Sequence, residues 1–233
     1  MAHETIGILG GLTAESTVLY YQHITRRYQE LHGDSAYPQI VIYSVSFQQF
    51  EDWMEAGRWD DIAGALATAL DRIAAAGADF ALLATNTMHL LFDRLQASCP
   101  IPLLSIVDAT ADAVTAAGLT KVGLLGTRFT MEKPFYAEGL ARRGIQAIVP
   151  DKEDRETTHR VIMHELARGV LKDDSRREYL RVMDALAAQG AEGFVLGCTE
   201  IPLLVTPACC SLPLFDTARI HAEAALQRAL SRR

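Results

Sequence analysis

The feature that most restricts how this chain can fold is a stretch that occurs twice. Gly77–Thr87 reads GADFALLATNT and Gly190–Glu200 reads GAEGFVLGCTE; each opens Gly-Ala-acid, runs through apolar residues and ends in a small polar cluster. Eight residues beyond the leading glycine stands Thr85 in one copy and Cys198 in the other. A second pair lies upstream, IGILGG from Ile6 against VGLLGT from Val122. Gly10 precedes Thr85 by 75 residues and Gly126 precedes Cys198 by 72. This order predicts two similar, pseudo-symmetric α/β halves that face each other across a cleft, each offering it one reactive side chain, Thr85 or Cys198.

The rest of the pattern supports an α/β class. Short apolar, β-branched runs over 5–9, 39–46, 80–84 and 103–106, then 121–125, 145–149, 193–196 and 212–215, read as strands. Between them lie helical patterns: Tyr21, Ile24, Tyr28 and Leu31 on one face of a helix capped by Thr13 or Ser16, and Ile62, Leu66, Leu70 and Ile73 on another. Further helices are expected over 90–97, 110–117, 133–143, 158–170 and 175–189, with 150–155 as a charged loop. Asp216 caps a closing helix that returns to the first half. Strands alternating with helices indicate mostly parallel sheets flanked by helices, with ligands bound beyond the carboxyl ends of the strands. The rigid connector Cys99–Pro102 sets the expected division: a first domain of 1–101 plus 215–233 and a second of 102–214.

Composition excludes several classes of partner. The chain has 233 residues and a net charge of -7 with no lysine/arginine run, whereas binding a phosphate backbone needs a concentrated basic footprint. The start, MAHETIGILGG, enters a strand without an export signal, and no apolar run reaches the roughly 20 residues needed to span a bilayer. A cytoplasmic location without membrane or nucleic-acid partners is the expectation. The four cysteines have no CxxC spacing and the histidines no HExxH spacing, so neither disulfide framework nor metal site is expected. Gly10–Thr13 lacks both GxGxxG spacing and a Walker lysine, which argues against nucleotide binding.

Cys198 follows a strand and precedes a helix start, where backbone N–H groups and the helix dipole favour a thiolate. Glu200, a carboxylate close to the sulfur, acts the other way or orients an ammonium. A buried inert cysteine is the alternative. Thr85-Asn86-Thr87 collects two hydroxyls, an amide and N–H groups suited to a carboxylate ligand, or serves to cap the next helix. His89 is either a base or a satisfied buried histidine.

The motifs GGLTAEST, ATNTMH, LLGTRFTME, GCTEIPLL and FDTARIHA, in this order over almost the full length, resemble the aspartate/glutamate racemase family, most of all its L-aspartate/glutamate-specific or broad-specificity amino-acid racemase branch with a threonine/cysteine pair. The resemblance implies a two-domain racemase for a small amino acid that needs no cofactor. It places the two catalytic positions on Thr85 and Cys198, the substrate-holding residues on Asn86, Thr87 and Thr199, and pocket-lining positions on Leu12, Met54 and Gly169. It also implies that Cys198 takes the proton from the L-isomer. Dimerisation is implied by the resemblance alone. Most of the family has cysteine where Thr85 stands, and no arginine occurs in 47–55, where aspartate racemases use one for the side-chain carboxylate. Two other activities share such a scaffold or site: a single-cysteine decarboxylase or maleate-type isomerase, and a non-catalytic protein that binds a small carboxylate.

Overall fold

The structure, a computed structural model, describes residues 3–231. It divides into two compact units, one running to Ile106 and resuming at His221, the other spanning Val107–Ile220.

The first unit holds a parallel sheet of β1 (Ile6–Gly10), β2 (Ile40–Ser44), β3 (Phe80–Leu83) and β4 (Leu103–Leu104) in the order β2-β1-β3-β4. The second holds β5 (Lys121–Gly126), β6 (Gln146–Ile148), β7 (Phe194–Gly197) and β8 (Leu214–Asp216), also parallel, in the order β6-β5-β7-β8. The two orders are the same permutation, as the repeated sequence requires. The central strands β1, β3 and β7 are short, apolar throughout and fully buried, which suits sheets covered by helices on both faces.

In the first unit the helices are α1 (Ala14–His32), α2 (Phe47–Glu55), α3 (Trp59–Ala75) and α4 (Phe92–Ser98), with a 3-10 turn at Thr87–Leu91. Thr13 caps α1 by accepting from the Ser16 N–H, and Gly33 ends it in the left-handed conformation. The buried stripe of α1 is Tyr20, Ile24 and Tyr28, so Ile24 and Tyr28 face inward as expected, whereas Tyr21 and Leu31 are exposed and Tyr20 takes the inward place of Tyr21. On α3, Ile62, Leu66, Leu70 and Ile73 are fully buried. They pack with Leu9, Leu12, Phe50 and Leu83 into this unit's core. Helix α2 buries only Phe50, too sparse a signal to read from the sequence.

The second unit contains α5 (Ile106–Ala116), α6 (Arg128–Glu132), α7 (Pro134–Ala141), α8 (Lys152–His164), a 3-10 turn at Leu166–Arg168, α9 (Asp173–Ala188) and α10 (Ile201–Leu204). The stretch expected as a charged loop at 150–155 is instead the start of α8: Asp151 accepts from the Asp154 N–H and nucleates the first turn. Its core gathers Leu125, Val161, Ile162, Tyr179, Val182 and Leu186 around Cys198 and Ile201. Helix α11 (Thr217–Ser231) closes the chain, with Asp216 accepting from the Arg219 N–H at its start.

The units divide at 106/107 and 220/221, where the sequence reading has 101/102 and 214/215. Strand pairing accounts for the difference. Leu103 and Leu104 hydrogen-bond with β3, and Phe215 and Asp216 with β7, so each strand stays with its own sheet despite the rigid connector before β4.

Gly11 carries the turn that leaves β1. Its φ is 84°, and a Cβ there would lie 2.2 Å from the Val45 carbonyl oxygen. Gly11→Ala therefore combines left-handed strain with a backbone clash and should lower unfolding free energy by about 2 kcal/mol or more, read from urea denaturation; a variant as stable as the parent would contradict this account.

Candidate active site

In a parallel sheet the chain leaves neighbouring strands in opposite directions where the strand order reverses, opening a crevice at their carboxyl ends. In the first unit that point lies between β1 and β3, paired through Leu9↔Leu83. Leu12 follows β1 there and Thr85-Asn86-Thr87 follows β3; all four are buried. Met54, near the end of α2, packs against the core cluster that includes Leu12. The Asn86 side chain makes no capping bond to the 3-10 turn it precedes.

In the second unit the matching point lies between β5 and β7, paired through Gly126↔Gly197. Cys198 and Thr199 follow β7, and both are buried. The Cys198 thiol donates to Glu200 Oε2 at 3.0 Å, and the Thr199 hydroxyl donates to the same oxygen at 2.8 Å. Gly169 ends the 3-10 turn after α8, with φ 72°, and is exposed. Glu165 anchors that turn: its carboxylate accepts from Ser175 at 2.6 Å and pairs with Lys172 and Arg160. The Ser175 hydrogen bond, more than any other contact, holds the carboxyl below its usual range.

Of the opposing influences on the Cys198 thiol that the sequence presents, those against ionisation prevail. Burial pushes it well above the ordinary thiol range, and the neighbouring Glu200 carboxylate pushes it further. The helix-start N–H groups of Glu200 and Ile201 do favour the thiolate, but more weakly. Two negative charges 3.0 Å apart repel by about 5 kcal/mol at an effective dielectric constant near 20. The resting pair is therefore a thiol donating to a carboxylate.

His89 is fully engaged within the first unit. Its Nδ1–H donates to the Thr85 carbonyl at 2.8 Å and its Nε2 accepts from the Ile106 N–H at 3.1 Å. Burial lowers its pKa to about 4. His221 is its counterpart on α11: Nε2–H donates to the Leu104 carbonyl at 3.0 Å and Nδ1 accepts from the Tyr20 hydroxyl at 2.9 Å. Burial lowers its pKa to about 3. Both imidazoles are neutral structural pins, and neither has a ring nitrogen left for substrate. Of the two roles open to His89, the structure selects the satisfied buried one.

Among the described residues no group of three or more His, Cys, Asp or Glu side chains is placed to hold a metal ion. Nor is any helix among them long and apolar enough to cross a membrane.

A family profile described as Asp/Glu/Hydantoin racemase matches residues 9–225. The chain belongs to that racemase family. It is an isomerase, with the family's two-sheet α/β fold. A candidate Asp/Glu racemase from Yersinia pestis, known from its crystal structure, is 42% identical with a TM-score of 0.90, the match covering 97% of this chain and 99% of that one. An aspartate racemase homologue from Pyrococcus horikoshii OT3 is 36% identical with a TM-score of 0.83, again over 97% and 99%. The broad-specificity amino-acid racemase RacX of Bacillus subtilis (strain 168) is 22% identical over 97% of this chain and 98% of its own length.

Within this racemase fold the sequence reading left three partners out. Tyr179 is buried, and its hydroxyl donates to the Thr158 carbonyl; burial raises its pKa well above the usual phenol range, and the nearby Cys198 and Glu165 add to the shift. Glu165 was absent from that reading as well, and His221 stood only within the motif FDTARIHA, with no role assigned. The paired spacing Glu165 to Ser175 gives no motif, and His221 acquires its partners only through sheet pairing and the return of α11.

Two expectations follow. Cys198 should alkylate with iodoacetamide far more slowly than free cysteine up to pH 9, while the urea-unfolded chain reacts normally; ordinary reactivity of the folded site at neutral pH would contradict it. The lowered histidine values make stability a function of pH. The unfolded chain binds protons near 6.5 that the folded histidines refuse until about 4 and about 3, so stability is present above pH 6.5 and is lost as pH falls. The loss should approach about 1.4 kcal/mol per pH unit for each histidine. In urea titrations, His221→Gln should remove part of that slope between pH 6.5 and 5; an unchanged slope would contradict the assignment.

Proposed function

We propose that the protein is a cofactor-independent amino-acid racemase for aspartate, glutamate or a related amino acid, moving protons at Cα with Cys198 as base for the L-isomer and Thr85 on the opposite face. The observation that carries this reading is a buried cysteine at the carboxyl end of β7, hydrogen-bonded to an acid, in a chain of the racemase family. The full-length similarity to a broad-specificity amino-acid racemase and to an aspartate racemase homologue supports the amino-acid substrate class.

The chemistry demands two proton-transfer groups, because inversion requires removal from one face of a near-planar carbanion and return to the other. Asn86, Thr87, Thr199 and the backbone N–H groups beside them would hold the α-carboxylate and stabilise the developing charge. Leu12, Met54 and Gly169 would line the space around the side chain. Thr85 is a weaker acid than a thiol, so proton return on its face proceeds slowly, either from its hydroxyl or from a water it holds. The two isomers of an amino acid are equally stable, so kcat/KM must be equal in the two directions. The asymmetry of the pair should therefore appear in isotope exchange: in D2O, recovered L-isomer should gain deuterium faster than D-isomer accumulates.

The test is an NMR screen of L- and D-amino acids in D2O for loss of the α-proton signal. Cys198→Ala should lower exchange from the L-isomer by about 100- to 10,000-fold. Retained exchange would remove Cys198 from this role. Thr85→Cys should speed exchange from the D-isomer, and no gain would remove Thr85. Binding of a carboxylate without exchange in any variant would favour the non-catalytic reading.

A further inference from the structure

Cysteine chemistry in this chain is not confined to Cys198. Cys209 and Cys210 are neighbours in the loop that leaves α10 and leads into β8, and both are half-buried rather than sealed in the core. The turn gives the two sulfurs different surroundings. The Cys209 N–H donates to the Thr206 carbonyl at 2.9 Å, and that turn brings the Thr206 hydroxyl to 3.5 Å from the Cys209 sulfur. Arg176 is anchored through its Nε–H to the Leu204 carbonyl at 2.9 Å and adds a positive charge to the same region. A hydroxyl and a cation beside a solvent-reached sulfur both favour thiolate over thiol. The Thr206 hydroxyl, more than any other group, holds Cys209 below the ordinary thiol range. Cys210 packs against the apolar cluster that contains Leu204 and Cys198. The other two cysteines are placed for inertness: burial pushes Cys99 up and Cys198 well up.

We propose that Cys209 and Cys210 form an oxidation site for hydroperoxides, with Cys209 as the attacking sulfur and Cys210 as the thiol that resolves the product. In the first step the Cys209 thiolate attacks one oxygen of hydrogen peroxide. An S–O bond forms, the O–O bond breaks, and the departing hydroxide takes up the proton the thiol had released, leaving water and a sulfenic acid. In the second step the Cys210 sulfur attacks the Cys209 sulfur. An S–S bond forms, the S–O bond breaks, and the hydroxyl leaves with the Cys210 proton as a second water. The two sulfurs together give up the two electrons that reduce the peroxide. Neighbouring Cα atoms stand about 3.8 Å apart, closer than the about 4.4 to 6.8 Å of ordinary disulfides, so the bridge is strained and an added dithiol reopens it. The site is independent of the racemase reading. Its consequence for that reading is an order of reaction: an oxidant meets Cys209 before the buried Cys198.

The test treats the folded parent protein with hydrogen peroxide at neutral pH, with and without dimedone, blocks the remaining thiols, and reads the peptides by mass after cleavage at glutamate. Cleavage after Glu200 separates Cys198 from the pair. The peptide that begins at Ile201 should become lighter by two hydrogens, recover with dithiothreitol, and form about tenfold faster than any oxidised product of Cys99 or Cys198. Cys210→Ser should leave the sulfenic acid of Cys209 open to dimedone. Cys209→Ser should abolish the bridge and slow oxidation of Cys210 to the rate of Cys99. Thr206→Val should slow the first step about threefold or more, because the sulfur loses its hydroxyl neighbour. Oxidation of Cys99 or Cys198 ahead of the pair would overturn the proposal, as would a Cys209→Ser protein that oxidises as fast as the parent. A dimedone adduct on Cys209 of the parent in place of the bridge, or a bridge formed only between two chains on a non-reducing gel, would overturn the role of Cys210.

Discussion

Everything in each half depends on a parallel pairing: β1 beside β3, and β5 beside β7. A parallel pair cannot be joined by a tight turn, so each pair needs a long crossover, and the third strand of each half is laid on the other side. The strand order reverses at that pairing. Two loops then leave neighbouring strand ends in opposite directions, and Thr85 and Cys198 occupy corresponding loops of the two halves. Glycines make the approach feasible. Gly10 leaves room for Thr17, and Gly126 and Gly197 leave room for Thr130, where any Cβ would collide.

Burial then decides the chemistry of each loop. Around Cys198 the dielectric penalty and the adjacent carboxylate outweigh the helix-start N–H groups, which are real but belong to a helix of only four residues. Around Thr85 burial has the reverse consequence for His89. An imidazole that in solution titrates near neutrality is held neutral between a carbonyl and an N–H, and serves to tie the Thr85 turn to the start of α5. Stacking of its ring on Phe92, with centroids 5.3 Å apart, completes that packing. A nominally reactive residue has become a structural pin.

The fold was largely legible in the sequence because a repeated strand-turn signature constrains topology more strongly than any single periodicity. The α3 stripe from Ile62 to Ile73 was readable for the same reason, having four apolar residues at helical spacing. Where the signal thinned, the reading missed. Helix α2 has one buried anchor, α1 buries Tyr20 in place of its neighbour Tyr21, and the charged segment before Thr158 turned out to be a capped helix start. Strand β4 was assigned across the domain division because a Pro-rich connector looks like a hinge, while strand pairing holds it in the first sheet.

By itself the sequence determined the class of fold, the doubled architecture and the family, since these follow from order and spacing along the chain. It also named Thr85 and Cys198 as the residues to examine. Only the tertiary structure decided which histidine nitrogens are occupied, that Cys198 rests as a thiol, and that its proton is directed at Glu200. Those properties depend on solvent exclusion and on distances of about 3 Å, between backbone segments and side-chain atoms whose approach only the folded chain fixes.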